Sequence, residues 1–207
     1  MLAARLWNHR SFVAGVFLLF AAGGTASAQP AAAEAPPESR LFTIADGGFS
    51  LRAPEGWKRV QPKMQMIETE FAIPSEGAAD DGSPLQAGRM TVMGAGGSIQ
   101  ANIDRWYGQF SQPDGSATKD KATTKKLELA GCKVTLVDIP GTYKDSPGGP
   151  FAGGAAVERP DYRMLAAIVE TPDRGNYFLK FYGPAKTLAA HADGFRGMVE
   201  GMVAAGK

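Results

Sequence analysis

Nucleophilic and metal chemistry draw on residues this sequence almost lacks. It has one cysteine, Cys132, and two histidines, His9 and His191. A single cysteine excludes an internal disulfide and any multi-cysteine metal site. A serine hydrolase needs a nucleophile, a base and an orienting acid, and no G-x-S-x-G elbow occurs. His191 follows Leu188 by three positions and precedes Phe195 by four, beside a helical apolar stripe. Asp193 is two residues on, which puts it on the wrong helical face to serve as partner. His191 therefore reads as a partly buried or surface histidine, and a pair with Cys132 would need a coincidence of folding. Cys132 opens the strand-like run Cys132-Lys133-Val134-Thr135-Leu136-Val137 and reads as a small buried hydrophobe.

The carboxylates offer little more. Glu68 and Glu70 alternate on one strand face, as an acid and a base do in a glycosidase, but only a cleft would turn that face to use. A solvated strand face is the simpler reading. Asp80, Asp81, Asp114 and Asp120 lack the D-x-D-x-D-G spacing of a calcium loop. Met93-Gly94-Ala95-Gly96-Gly97-Ser98 joins a strand to a helix, where backbone N–H groups can cradle an anion. Ile99 stands where a dinucleotide motif needs its last glycine, and no Gly-Lys-Ser/Thr follows for a P-loop. A tight turn with Gly97 or Ser98 as N-cap accounts for the segment. No metal and no cofactor is expected.

The most unusual stretch is residues 140–160, rich in Gly and Pro. It reads as one long connection, and structureless loops beyond about 12–15 residues are usually functional or disordered. Phe151 lies between Gly-Pro clusters as a candidate partner anchor. Tyr143, Lys144 and Arg163 belong to the same loop and its exit strand. Trp106 and Tyr107 are adjacent on a helix, so one of the two can edge a groove while the other packs inward. Tyr143, Lys144, Phe151, Arg163 and Trp106 are the candidate contact residues for a partner or ligand.

Composition narrows the class. The chain has 207 residues, 44% hydrophobic and 21% charged, with a net charge of +1. This is ordinary globular composition. It gives no electrostatic reason to expect nucleic acid. Residues 1–28 read as a secretory signal peptide. Arg5, His9 and Arg10 are basic, residues 12–22 are apolar, and Ala26-Ser27-Ala28 is a small-residue cleavage site. The apolar run is shorter than the ~20 residues of a membrane span, so no span is expected after cleavage. The mature protein would be exported to the periplasm or outside the cell. Residues 29–40 are a Pro- and Ala-rich linker, and 41–207 make a single domain.

Within that domain, residues 41–44 and 49–53 flank Asp46-Gly47-Gly48 as a hairpin. Residues 66–73 and 89–93 read as strands, with a polar loop over 75–88. Residues 98–110 carry Ile99, Ile103, Trp106, Tyr107 and Phe110 at helical spacing. Residues 111–124 read as loop. Strands 126–129 and 132–139 flank Ala130-Gly131 as a second hairpin, and 162–170 with 176–182 make a third. A last helix spans 184–203, with Leu188, Phe195, Met198, Val199 and Met202 as its buried stripe. Strands in hairpins with few helices predict an α+β domain, a central antiparallel sheet with helices packed on its faces.

Two motifs carry a family resemblance. Phe49-Ser50-Leu51-Arg52-Ala53-Pro54-Glu55-Gly56-Trp57 lies at the front, and Tyr177-Phe178-Leu179-Lys180-Phe181-Tyr182-Gly183-Pro184 runs into the terminal helix. Together they resemble the PsbP-like fold group, and also a set of uncharacterised exported bacterial proteins of that type. The resemblance implies an α/β/α sandwich and a binding or assembly module rather than an enzyme. It transfers no site residue. The function expected is an exported non-catalytic module contacting an unknown protein or small-molecule partner through loop 140–160. The alternatives are a small-ligand carrier with a cleft beside the sheet, an enzyme built on Glu68, Glu70 and Arg163, or a structural envelope component.

Overall fold

A computed structural model describes residues 40–205 apart from 76, 79–81 and 147–154. The segment read as a signal peptide, the segment read as a linker apart from Arg40, and Phe151 therefore lie outside the described residues. The order of elements is β1 (Leu41–Ile44), β2 (Phe49–Arg52), β3 (Lys58–Val60), β4 (Thr69–Ile73), β5 (Gly88–Ala95), α1 (Ile99–Gly108), β6 (Phe110–Ser111) and α2 (Thr118–Lys121). It continues with β7 (Thr123–Leu129), β8 (Cys132–Asp145), β9 (Val157–Glu170), β10 (Asn176–Pro184), α3 (Ala185–Glu200) and β11 (Val203–Ala204).

Eight strands form one antiparallel sheet in the order β3-β4-β5-β10-β9-β8-β6, with β7 also paired to β8. Strands β1, β2 and β11 form a separate three-stranded sheet. The fold is α+β, as expected. Its logic is plain in β10, where Tyr177, Leu179 and Phe181 point to one core and Phe178 to the other. The first core joins the large sheet to α3 and the small sheet through residues such as Phe42, Trp57, Phe71 and Phe195. The second joins it to α1 through Ile103 and Trp106. Phe71, Phe181 and Phe195 are at most 2% exposed, and such burial stabilises by about 1.5–3 kcal/mol per side chain.

The turns follow their residues. Ala130 and Gly131 both take positive φ, 50° and 79°, the geometry a two-residue antiparallel turn requires. Ser98 caps α1, its Oγ accepting from the Ala101 N–H at 3.2 Å. Trp57 returns to the core and its Nε1–H donates to His191 Nδ1 at 3.3 Å. The other ring nitrogen, Nε2, lies 2.9 Å from the Pro74 carbonyl oxygen. A carbonyl only accepts, so Nε2 carries the proton and His191 is the neutral tautomer that satisfies both partners. It ties α3 to the Pro-Glu-Gly-Trp turn and to the end of β4. Cys132 is buried, as expected, and burial pushes its thiol up.

Segment 140–160 is not one loop. Strand β8 runs to Asp145 and β9 begins at Val157, with Tyr143 opposite Arg159 and Asp145 opposite Val157. The glycines and prolines mask a ladder whose edge residues still pair. Residues 111–124 likewise hold the second residue of β6, the single-turn α2 and the start of β7 rather than continuous loop.

The ladder shifts register between Gly141 and Tyr143. Gly141 faces Tyr162 and Tyr143 faces Arg159, so Pro160 and Asp161 together oppose Thr142. Asp161 takes φ 55° to make the bulge. One extra residue in a period-two strand changes which side chains share a face, and here it sets Arg159 beside Tyr143. Gly141 has φ 139°, and a Cβ there would lie 2.6 Å from the Ser111 carbonyl oxygen of β6. Gly141→Ala is therefore predicted to destabilise the protein by roughly 1–3 kcal/mol through overpacking and backbone strain. Urea denaturation of the variant against the wild type checks this.

Candidate functional site

Strand β10 is apolar and buried through its centre except at Lys180. The period of two puts Lys180 on the α1 face, between Phe178 and Tyr182. Its Nζ donates to Gln109 Oε1 at 2.7 Å. Gln109 is there because it caps α1, its N–H bonded to the Trp106 and Tyr107 carbonyls. The ammonium lies 5.5 Å from the Tyr143 ring centre and 4.9 Å from that of Tyr182, within range of cation–π attraction.

Around it three tyrosines meet. Tyr143 stacks on Tyr162 with centroids 6.1 Å apart and planes at 7°. Tyr143 also tilts onto Tyr182 at 5.3 Å. The hydroxyl of Tyr162 donates to Gln86 Oε1 at 2.6 Å. Arg89 on β5 donates to the Tyr182 hydroxyl oxygen at 2.6 Å and grips Glu70 of β4 through both carboxylate oxygens, at 2.7 and 2.9 Å. At the far end Arg159 pairs with Asp145 at 3.2 Å. The result is an aromatic floor rimmed by cations at one end of the large sheet.

Its electrostatics are set by burial. Burial pushes the Lys180 ammonium down to about 7, and the positive charges of Arg89 and Arg105 push the same way. Burial pushes the Tyr143 and Tyr162 phenols up. It does so for Tyr182 as well, against the opposing pull of Arg89. The Glu70 hydrogen bond holds Arg89 firmly protonated.

Of the residues expected from sequence, Tyr143 belongs to this cluster and is itself buried at 8% exposure. Lys144 is exposed and points away from Tyr143 along the strand, while its backbone N–H donates to the Gln109 carbonyl at 2.8 Å. Arg163 lies on the opposite face and forms a two-point ion pair with Asp138, at 2.8 and 2.6 Å. Trp106 is a core residue, 4% exposed and packed edge-on against Phe178 at 5.9 Å. Its neighbour Tyr107 is the half-exposed one. Glu70 is engaged by Arg89 and Glu68 by the Gly94 N–H at 3.3 Å, so neither converges with Arg163. Lys180, Tyr182, Tyr162 and Arg89 carry the cluster and were not expected. The available signal was one lysine in the middle of an aromatic strand.

Among the described residues no group of three or more His, Cys, Asp or Glu could hold a metal, and no helix is long and apolar enough to cross a membrane. Two open clefts lie elsewhere. One of about 590 Å³ is formed by residues 59–65 and 67–69, and one of about 300 Å³ lies between β7, β8 and α3.

The lysine has a measurable signature. An unfolded lysine keeps its proton to about pH 10.4, whereas folded Lys180 releases it near 7. Between those values the unfolded chain binds more protons, so stability rises with pH. Thermal melts from pH about 7 to 9.5 should show wild-type stability gaining on Lys180→Met, which removes that proton from the balance.

No family model matches the chain, and no curated protein matches it. Solved structures do. A protein of unknown function from Pseudomonas aeruginosa, PA94, is similar at 11% identity and TM-score 0.42, over 81% of this chain and 97% of that one. LpqN, involved in cell envelope biogenesis of Mycobacterium tuberculosis, is similar at 10% identity and TM-score 0.44, over 75% and 82%. Cyanobacterial PsbP from Synechocystis sp. PCC 6803 is similar at 8% identity and TM-score 0.46, over 80% and 91%. Likenesses of this degree assign the chain neither an activity nor a partner. The last of them is a PsbP protein, of the group that the front and end motifs resemble.

Proposed function

We propose that this protein is an exported, non-catalytic binding module. Its recognition surface would be the tyrosine-rich end of the large sheet together with the Gly- and Pro-rich segment 140–160. The observation that carries this reading is the cluster of Tyr143, Tyr162 and Tyr182 around Lys180 and Arg89. Tyrosine and arginine are the residue types that dominate binding hot spots. Tyrosine presents large contact area at low cost in side-chain entropy.

The same cluster is poorly suited to catalysis. Its carboxylates are spent on Arg89 and Arg159, and its phenols are pushed away from neutral titration. His191 of α3 bridges Trp57 and Pro74. A carrier remains the second reading, favoured by the open cleft of residues 59–65 and 67–69, with Met64 and Met66 exposed beside it.

The test is crosslinked affinity capture from the envelope fraction of cells expressing the full chain. Three baits are compared: wild type, Tyr182→Ala and a variant in which Asn-Gly replaces residues 146–156. Asp145 and Val157 are cross-strand partners, which a two-residue turn can join, and loop length affects stability only weakly, so the shortened chain should remain folded. A discrete partner held by the wild type and lost with both variants is expected. A partner retained by both would place recognition elsewhere on the molecule.

A further inference from the structure

We propose that Lys180 is a receptor for a carboxylate, and that Gln109 holds the carboxylate's place until one arrives. The inference deepens the binding-face reading above and rests on it.

Three observations lead to it. First, Lys180 lacks the carboxylate that the arginines of the sheet have: Arg89 pairs with Glu70 and Arg159 with Asp145, whereas among the described residues no ion pair includes Lys180, and the charges acting on it, Arg89 and Arg105, are both positive. Second, the acceptor that its Nζ bonds among the described residues is a neutral amide oxygen, Gln109 Oε1 at 2.7 Å. A carboxylate oxygen in that position would make a charge-assisted bond about twice as strong. Gln109 is half-exposed at the end of α1, so its side chain can swing outward without opening the core. Third, the walls are the rings of Tyr143 and Tyr182, with Tyr162 stacked behind Tyr143. Such walls select a carboxylate borne on an apolar body. A free aromatic acid has that chemistry, and so does an acidic side chain set between apolar residues of a partner protein.

The groups facing Lys180 from each packed element decide the sign of the pH dependence. Helix α1 contributes Arg105 and its cap Gln109, β5 contributes Arg89, and β4 contributes Glu70, already bound to Arg89. Strand β8 contributes Tyr143 and Asp145, β9 contributes Tyr162 and Arg159, and β10 itself contributes Tyr182. An entering carboxylate offsets the repulsion from Arg89 and Arg105 and favours the ammonium. Where the free amine is neutral, entry draws one proton from solvent onto Nζ, with no other bond made or broken. Affinity therefore falls as pH rises above about 7, by up to about tenfold per pH unit.

The test follows the lysine ε-carbon resonances of protein purified from cells expressing the full chain. The Lys180 signal is assigned by its loss in Lys180→Gln. The probes are sodium benzoate against benzyl alcohol, and Phe-Glu-Phe peptide, acetylated at its N-terminus and amidated at its C-terminus, against its identically capped Phe-Gln-Phe counterpart. Both carboxylates should move the Lys180 signal and raise its titration midpoint by about one pH unit or more. Both should bind more weakly at higher pH, and the neutral counterparts should do neither. Tighter binding of the peptide assigns the carboxylate to a protein partner, and tighter binding of benzoate to a free acid. Lys180→Gln, or Lys180→Met if the first variant fails to fold, should abolish the effect. The proposal is overturned if neither carboxylate moves the Lys180 signal, if the neutral probes act equally, or if the variants bind benzoate as the wild type does. Should it fail while Tyr182→Ala still loses the captured partner, the binding face stands without its carboxylate. Should Tyr182→Ala keep the partner, the face itself is wrong.

Discussion

The central strands of this protein must be covered on both faces. Strand β10 lies inside the sheet between β5 and β9, and its aromatic residues alternate between two cores. Neither core can form from the sheet alone. One needs α3 and the β1-β2-β11 sheet, and the other needs α1. Buried apolar area is the main stabilising term in such an arrangement, so most of the remaining elements serve to supply it. The His191 bridge belongs to that requirement, because it holds α3 on the turn that buries Trp57.

Lys180 breaks the rule that governs its own strand. A charge in the middle of a covered sheet costs free energy unless something offsets it. Here the compensation is partial: one amide oxygen and two tyrosine rings, with two arginines opposing it. Stability alone would be served better by a leucine or methionine at this position. Local disagreement between a residue and its surroundings is commonest at functional sites. The bulge opposite Thr142 adds to the same picture, since it spends regular pairing to bring Arg159 onto the side that Tyr143 and Tyr162 occupy.

Much of the fold was legible in the sequence, for reasons that are local. The hairpin at Ala130-Gly131, the capped start of α1 at Ser98 and the amphipathic α3 follow from residue types at short range. The length of β8 and β9 was not legible. Pro140, Gly141 and Pro160 read as loop, yet the strands continue through them because neighbouring backbone groups still find partners. The site was harder still. Tyr143 reads from the sequence as a loop residue, and it is a strand residue at the heart of the cluster. Lys180, Tyr182 and Arg89 come together only through the register of β10 on β5 and β9, which pairs Tyr182 with both Arg89 and Met164. No spacing along the chain encodes that. Arg163 and Trp106 had suitable chemistry, but strand parity and helix packing sent them to the opposite face and into the core.

The central claim is that the tyrosine-rich end of the sheet is where this protein meets its partner. Hydroxyl-radical footprinting of the protein in its envelope fraction, compared with the purified protein, tests it directly. The account predicts that Tyr162 and Tyr182 become protected in the fraction while Met64 and Met66 stay equally reactive. Unchanged reactivity at the tyrosines, with protection at Met64 and Met66, would contradict it and move the binding surface to the open cleft beside β4.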